Sequence, residues 1–376
     1  MNRSASGKNY SLRTLLLFGA ILGLFNSPAR GEDWAVIRQN DRSYVALTNV
    51  AHFYQLPQSS RSNGLVSFRS DRRLISAQTG TSEFSINGLR FFADFPLLKR
   101  GDDDLVSVTD LNKIIEPVLR PSRIPRSESI ETVILDPGHG GVDSGALGDW
   151  GAEKEFALDV ALATRKELIQ AGYKVELTRS SDTTISLEDR VVFANGFPHA
   201  VFVSIHFNWS PGGAGIESYA LAPEGVPSNA SSEHHASATG LGRHPGNLLD
   251  PQNIALTAAI HASVLSRLTL FDRGVRHARF HVLRNIKVPA VLLESGFISD
   301  PAEGQRIATG QYRQQLAIAI AQGIRNYDTA ISYKTTKGLA VVKSNSVPAG
   351  SGTNQKAPAE KQSISPPVDS NESREH

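Results

Sequence analysis

Three apolar runs in this chain each give way to an acid or a base, and that pattern narrows what the chain can fold into. Thr132-Val133-Ile134-Leu135 leads into Asp136-Pro137-Gly138-His139-Gly140-Gly141, Ala200-Val201-Phe202-Val203-Ser204-Ile205 ends in His206, and Pro289-Ala290-Val291-Leu292-Leu293 ends in Glu294. Short apolar runs of this kind read as strands buried on both faces, the condition of strands in a parallel sheet. Helical stretches lie between them. Over 153–171, Phe156, Val160, Ala161, Leu168 and Ile169 recur near helical spacing, and Gly172 stops the helix. Residues 173–177 alternate as a strand, Ser186 can cap a helix through Asn195, and 215–221 is a further strand. Two helices, over 252–270 and 311–327, complete the pattern. The alternation predicts an α/β fold, a mostly parallel twisted sheet covered by helices on both faces.

In such sheets ligands gather outside the carboxyl ends of strands, so His139 and His206 are expected to meet there. Gly138, Gly140 and Gly141 let the backbone turn sharply beside His139 and leave room for an ion. Two imidazoles with one carboxylate make a three-ligand zinc site that keeps a position for water, and a further carboxylate can carry the proton. Glu153 opens a predicted helix in Gly151-Ala152-Glu153-Lys154; Glu155, a rival two positions on, points to another helix face. Glu294 follows five apolar residues, where a carboxylate is costly to bury without a cation or a chemical role. Ser204 and Asn208 flank His206 as polar partners.

Other constellations fare worse. His277 and His281 have i,i+4 spacing, but Phe280-His281-Val282-Leu283 reads as strand and the glutamate of a helical zinc motif is missing. His234-His235 falls in a polar loop and reads as solvated. No Gly-x-Ser-x-Gly elbow and no glycine-rich phosphate loop occurs.

The chain has no cysteine, so disulfides, thiolate ligands and cysteine nucleophiles are excluded. A net charge of +2 gives no case for a nucleic-acid partner or a polybasic membrane patch. Arg3, Lys8 and Arg13 precede a short apolar stretch over 15–25, and small residues follow at Ser27, Ala29 and Gly31. Residues 1–31 therefore read as a secretory signal, and the protein as exported to the periplasm or cell envelope, or secreted. Residues 33–120 read as a small α+β domain, with Asn87-Gly88 as a hairpin turn. It holds a weak repeat: Tyr44-Val45-Ala46-Leu47-Thr48-Asn49-Val50 resembles Leu105-Val106-Ser107-Val108-Thr109-Asp110-Leu111, with Thr and Asn or Asp as the expected helix caps. A linker over 121–130 leads to the second domain, 131–328. The stretch 223–251 reads as a long polar loop beside the site, and 333–376 as a disordered Ser/Pro-rich tail.

Taken in order, Leu135 to Gly141, Glu153-Lys154, Ser204 to Asn208, Arg273-Gly274-Val275, Val282-Leu283-Arg284 and Pro289 to Ser299 resemble the zinc-dependent N-acetylmuramoyl-L-alanine amidases of the type 3 family. The resemblance covers 131–328. It implies hydrolysis of the amide joining N-acetylmuramic acid to the L-alanine of the peptidoglycan stem peptide. It also implies that His139, Glu153 and His206 hold zinc and that Glu294 is the catalytic carboxylate; Asn208, beside His206, is a candidate substrate contact. The interval after Tyr219, where Gram-negative members carry an occluding helix, holds only the 223–251 loop. Residues 33–120 are similar to the stalk-like N-terminal domain of copper amine oxidases, with no copper implied, and offer a surface for wall or an activator protein. The alternatives are a non-catalytic wall-binding protein and a zinc peptidase acting on the stem peptide.

Overall fold

The computed structural model describes residues 34–125, 127–230, 241–332 and 363–364. The expected signal segment, His234-His235 and nearly all of the expected tail lie outside the described residues. Two tail residues do not fit the disordered reading: Ser363–Ile364 is a strand that pairs antiparallel with Trp34–Ala35.

An 11-stranded sheet is the backbone of the molecule. Six of its strands come from the second half of the chain, in the order Lys174–Leu177, Thr132–Pro137, Ala200–Asn208, Ala290–Phe297, Ile216–Leu221 and Asp272–Ala278. All neighbours among these six run parallel except Ile216–Leu221, which is antiparallel to Ala290–Phe297. Every residue of Thr132–Pro137 and of Ala290–Phe297 is buried, as expected of strands covered on both faces. Helices Glu153–Gln170, Asp250–Arg267 and Gly310–Ser332 contribute to the core on one face. Leu187–Ala194 and His281–Asn285 pack with the core of the other.

Local chemistry explains these elements. Glu153–Gln170 buries Phe156, Ala157, Val160, Ala161, Thr164 and Leu168, a single stripe at helical spacing, and Gly172 takes the left-handed φ of +95° that ends it. Ile169 lies off that stripe and is exposed, contrary to its expected place in the core. The Ser186 hydroxyl accepts from the Asp189 N–H and caps the next helix. Two elements differ from expectation. Phe280 to Leu283 is not a strand: Phe280 precedes the short helix His281–Asn285. Asp272–Ala278 is a strand that the polar, arginine-rich sequence conceals.

The boundary expected near residue 120 is not a break in the fold. The remaining five strands of the sheet, Leu89–Phe92 back to Gln58–Ser62, come from the N-terminal region and join the C-terminal half where Phe91 pairs with Val275. The Asn87-Gly88 hairpin turn is present, with both residues at positive φ. One apolar core spans the join, combining Ile86, Phe91, Val106 and Ile114 with Ala220, Ile254, Ala258 and Val275. The two repeat strands, Arg42–Ala46 and Asp103–Ser107, pair antiparallel, each leading into a helix. The expected Thr and Asn or Asp caps fall inside the first turn; the N-caps are Ala46 and Ser107. The stretch 121–130 is likewise not free linker, since Pro121–Arg123 is a helical turn and Ile124 is buried in the main core.

The join also encloses ionisable groups. His277 Nδ1 lies 2.6 Å from Asp94 Oδ1, and the Asp94 N–H donates to Asp110 Oδ1 at 2.6 Å. Burial and the neighbouring Asp94 charge push the Asp110 carboxyl up to about 7 from 3.8. The folded state therefore holds a proton that the unfolded chain has lost, so stability drains away as pH rises from about 4 to about 7. Asp110→Asn should remove this loss. Its melting temperature relative to wild type should shift in the variant's favour between about pH 5 and about pH 8; an identical gap at both values would refute the assignment.

Candidate metal centre and catalytic cleft

The site is built at the carboxyl end of the sheet, beginning with the turn after Thr132–Pro137. His139 takes a left-handed φ of +60°, followed by Gly140 at +126° and Gly141 at +60°. A non-glycine residue in this region is strained, and the strain is held by surrounding donors. Arg190 Nη1 donates to the Pro137 carbonyl at 2.7 Å, and its Nη2 to the His139 carbonyl at 2.7 Å. Arg179 Nε reaches the Pro137 carbonyl at 3.1 Å, and its Nη2 the Gly138 carbonyl at 2.7 Å. Arg190 is itself paired with buried Asp136 at 2.6 Å, which also accepts from Thr178 Oγ1 and Ser204 Oγ. Ser204 therefore supports the His139 turn through Asp136.

His139, Glu153 and His206 come together as the sequence suggested. Their potential ligand atoms all lie within 4.8 Å of one another, and no other such group of three occurs among the described residues. His139 Nε2 is 3.1 Å from Glu153 Oε2, and His206 Nδ1 is 2.9 Å from Glu153 Oε1. The backbone N–H groups of Ala146 and Phe207 donate to the two Glu153 oxygens at 2.9 and 3.0 Å. Burial favours the neutral Glu153 carboxyl, but its hydrogen bonds with the two histidines, and then their charges, outweigh this and hold its pKa well below the usual range. For His139, burial lowers the pKa; the bonds and charges of Glu153 and Asp143 reverse that and leave it raised. Asp143 Oδ2 lies 2.8 Å from His139 Nδ1 and orients the ring so that Nε2 faces Glu153. Glu155 is turned to solvent, which removes it as a ligand.

The donor chemistry fits a zinc ion, with two imidazole nitrogens, one carboxylate and room kept beside them. Glycine makes that room. A Cβ on Gly138 would stand 2.3 Å from His206 Cε1, and one on Gly145 would stand 2.6 Å from Glu153 Oε2.

Both His206 and Glu294 lie inside their strands, which run on to Asn208 and Phe297. Their register matters: His206 pairs with Glu294 on one side, and Glu217 pairs with Glu294 on the other. Three titratable residues thus stand abreast on neighbouring strands. Burial, then the charges of Glu153 and Glu217, push the Glu294 carboxyl well above its ordinary value. Glu217 is fully buried, accepts from Tyr219 Oη at 2.6 Å and pairs with Arg273 Nε at 2.5 Å. Asn208 Nδ2 donates to Glu217 at 3.4 Å. Glu217, Asp143 and Arg190 escaped the reading of the sequence. The only sign of Glu217 was an acid inside an apolar strand, the signal that marked Glu294.

Around these groups opens a cleft of about 950 Å³, lined by His139, Glu153, His206, Asn208 and Glu294 together with apolar side chains. No described residue of the 223–251 loop lines it. That loop instead turns toward the N-terminal region: the Asn229 amide contacts the Phe92 carbonyl, its own carbonyls at 223 and 226 accept from Arg279, and Asn229 Oδ1 accepts from the His277 N–H. His277 and His281 form no metal pair. His277 is sealed against Asp94, whereas His281 lines the cleft wall beside Arg284. Ser218, His261 and Asp272 line up at 2.8 and 2.9 Å like a hydrolase triad, but Ser218 and His261 are completely buried, so the arrangement ties strands together.

A family model described as N-acetylmuramoyl-L-alanine amidase matches residues 133–326. The sporulation-specific N-acetylmuramoyl-L-alanine amidase of Bacillus subtilis (strain 168) is 34% identical over 213 residues, 56% of this chain and 72% of that protein. The amidase AmiA of Escherichia coli (strain K12) is 33% identical over 224 residues, 54% of this chain and 78% of that protein. Among solved structures, the catalytic domain of CwlV from Bacillus (Paenibacillus) polymyxa var. colistinus is 33% identical, with a TM-score of 0.43, over 53% of this chain and 98% of that one.

Gly138→Ala should leave the fold intact by circular dichroism yet cut metal content and hydrolysis by about tenfold or more, because the new methyl displaces the His206 ring. Full metal loading in that variant would contradict the packing described. The chain belongs to the N-acetylmuramoyl-L-alanine amidase family, enzymes that hydrolyse the bond between N-acetylmuramic acid and L-alanine in peptidoglycan.

Proposed function

We propose that this amidase works through zinc held by His139, Glu153 and His206, with Glu294 moving the proton. The observation that carries this reading is the grouping of two imidazoles and one carboxylate beside a second, deeply buried carboxylate in a single cleft. A zinc ion bound there supplies a Lewis acid that polarises the scissile carbonyl and acidifies water from about 16 toward about 7. The rest is protein chemistry. Glu294 accepts the proton of the attacking water and returns it to the departing alanine nitrogen. Burial raises the Glu294 carboxyl above its ordinary value, the direction that suits a group that returns a proton to the leaving nitrogen. The lactyl carbonyl leaves as a carboxylate, and the stem peptide leaves with a free amino terminus. Asp143 keeps the His139 ring in register, and we assign Asn208, which lines the cleft, to substrate contact.

Residues 1–31 read as an export signal, consistent with a substrate outside the cytoplasm. Among the described residues, no helix is long and apolar enough to cross a membrane. We assign residues 33–120 an accessory role toward wall or an activator; the continuous sheet supports a fixed attachment, not a tethered module.

Glu294→Gln should retain zinc by metal analysis but lose about 10²- to 10⁴-fold in turnover of purified sacculi, whereas His206→Ala should lose both. Near-normal turnover by Glu294→Gln would end the proton-carrier role. Asp143→Ala should weaken zinc binding by about 10- to 100-fold in a competition titration. Mass spectrometry of the digest should show intact stem peptides beginning with L-alanine; cleavage within the peptide would favour the peptidase reading.

A further inference from the structure

Trp209 lies three residues beyond His206, lines the catalytic cleft and is 49% exposed. It belongs to none of the three apolar cores, and among the described residues its ring has no aromatic or cationic neighbour. Its backbone, by contrast, is pinned. The Trp209 N–H donates to Asn208 Oδ1 at 2.7 Å, the Ser210 N–H donates to Ser299 Oγ at 3.0 Å, and Ser299 Oγ returns a bond to the Ser210 carbonyl at 2.9 Å. The ring is therefore held open to solvent by a rigid support, with the exposed Leu147 also on the cleft wall.

We propose that Trp209 is the platform on which a pyranose ring of the glycan strand stacks while its lactyl amide is cut. The inference rests on the amidase reading. In the substrate, the scissile carbonyl carbon is joined to the sugar ring through one carbon and one oxygen, a reach of about 4 Å. Three residues span at most about 10 Å, a gap that the linkage, the pyranose ring itself and the Trp209 side chain together bridge, and Trp209 and His206 line the same cleft. A pyranose offers an uncharged face of C–H groups, which suits an aromatic face with little conformational entropy to lose. The stem peptide carries carboxylates and suits the part of the cleft lined by His281, where Arg284 Nη2 lies 3.1 Å from His281 Nδ1. The sugar is thus assigned to the part of the cleft lined by Trp209 and the peptide to the part lined by His281.

The test is calorimetric binding of peptide-free glycan strands to the full chain, comparing wild type with Trp209→Ala, Trp209→Phe and Trp150→Ala. Trp150 is 48% exposed but does not line the cleft, so it controls for the loss of any surface indole. Trp209→Ala should weaken binding by about tenfold or more, with Trp209→Phe within about threefold of wild type and Trp150→Ala unchanged. Unaltered binding by Trp209→Ala, an equal loss in Trp150→Ala, or no glycan binding by the wild type would each overturn the proposal. Weakened binding of free stem peptide in Trp209→Ala, with glycan unaffected, would overturn it as well by assigning Trp209 to the peptide. Hydrolysis of sacculi by the wild-type protein is scored separately. Its absence would count against the amidase mechanism, whereas the binding comparison judges the platform.

Discussion

The Glu153 carboxylate, held between two imidazoles that come from opposite sides of a strand pair, is the contact on which the site depends. One of its oxygens faces His139 and the other faces His206, and a backbone N–H braces each. Helix Glu153–Gln170 begins at this residue, so the carboxylate is fixed by a helix start and not by a flexible loop. The imidazole on the far side is fixed just as firmly. Its left-handed backbone is clasped by Arg179 and Arg190, whose charge is balanced in part by buried Asp136. The strained turn persists because the arginines satisfy its carbonyls, and they stay buried because those carbonyls and Asp136 satisfy them.

Strand register supplies the rest. Parallel pairing of Ala200–Asn208 with Ala290–Phe297 sets Glu294 beside His206 without any direct bond between their side chains being required. The antiparallel pairing of Ile216–Leu221 then brings Glu217 against Glu294 from the other side. Like charges in a dry interior cannot all remain ionised. Glu217 is satisfied by Arg273 and Tyr219, and the burden falls on Glu294. Its elevated pKa is thus a property of sheet topology as much as of any single neighbour.

Much of this was legible in the sequence, for physical reasons. Buried strands advertise themselves as unbroken apolar runs, and a titratable residue that interrupts one must serve some purpose; His206 and Glu294 were visible on that ground. Glycines around His139 signalled a turn that other residues cannot make. Groups that act through others left weaker traces. Asp143 and Arg190 look like ordinary surface charges until the chain folds, burying Arg190 and setting the still exposed Asp143 against His139. Asp272–Ala278 was hidden because its arginines and histidine are paired with partners up to 183 residues away, as His277 is with Asp94. The expected independence of residues 33–120 failed for a similar reason: a shared apolar core leaves no mark in composition, since each half simply looks well stocked with apolar residues.

The shared core has a consequence for how this polypeptide can be divided. Cut at residue 130, the second half would keep every group that lines the cleft, yet it would lose the neighbour that covers Val275, Ala220 and Ile254. It would also bare the hydrogen-bonding edge of Asp272–Ala278, and unshielded edges of this kind recruit other chains. In this enzyme the amino-terminal strands act as the cladding of the catalytic half, covering both its sheet edge and the apolar residues beside it.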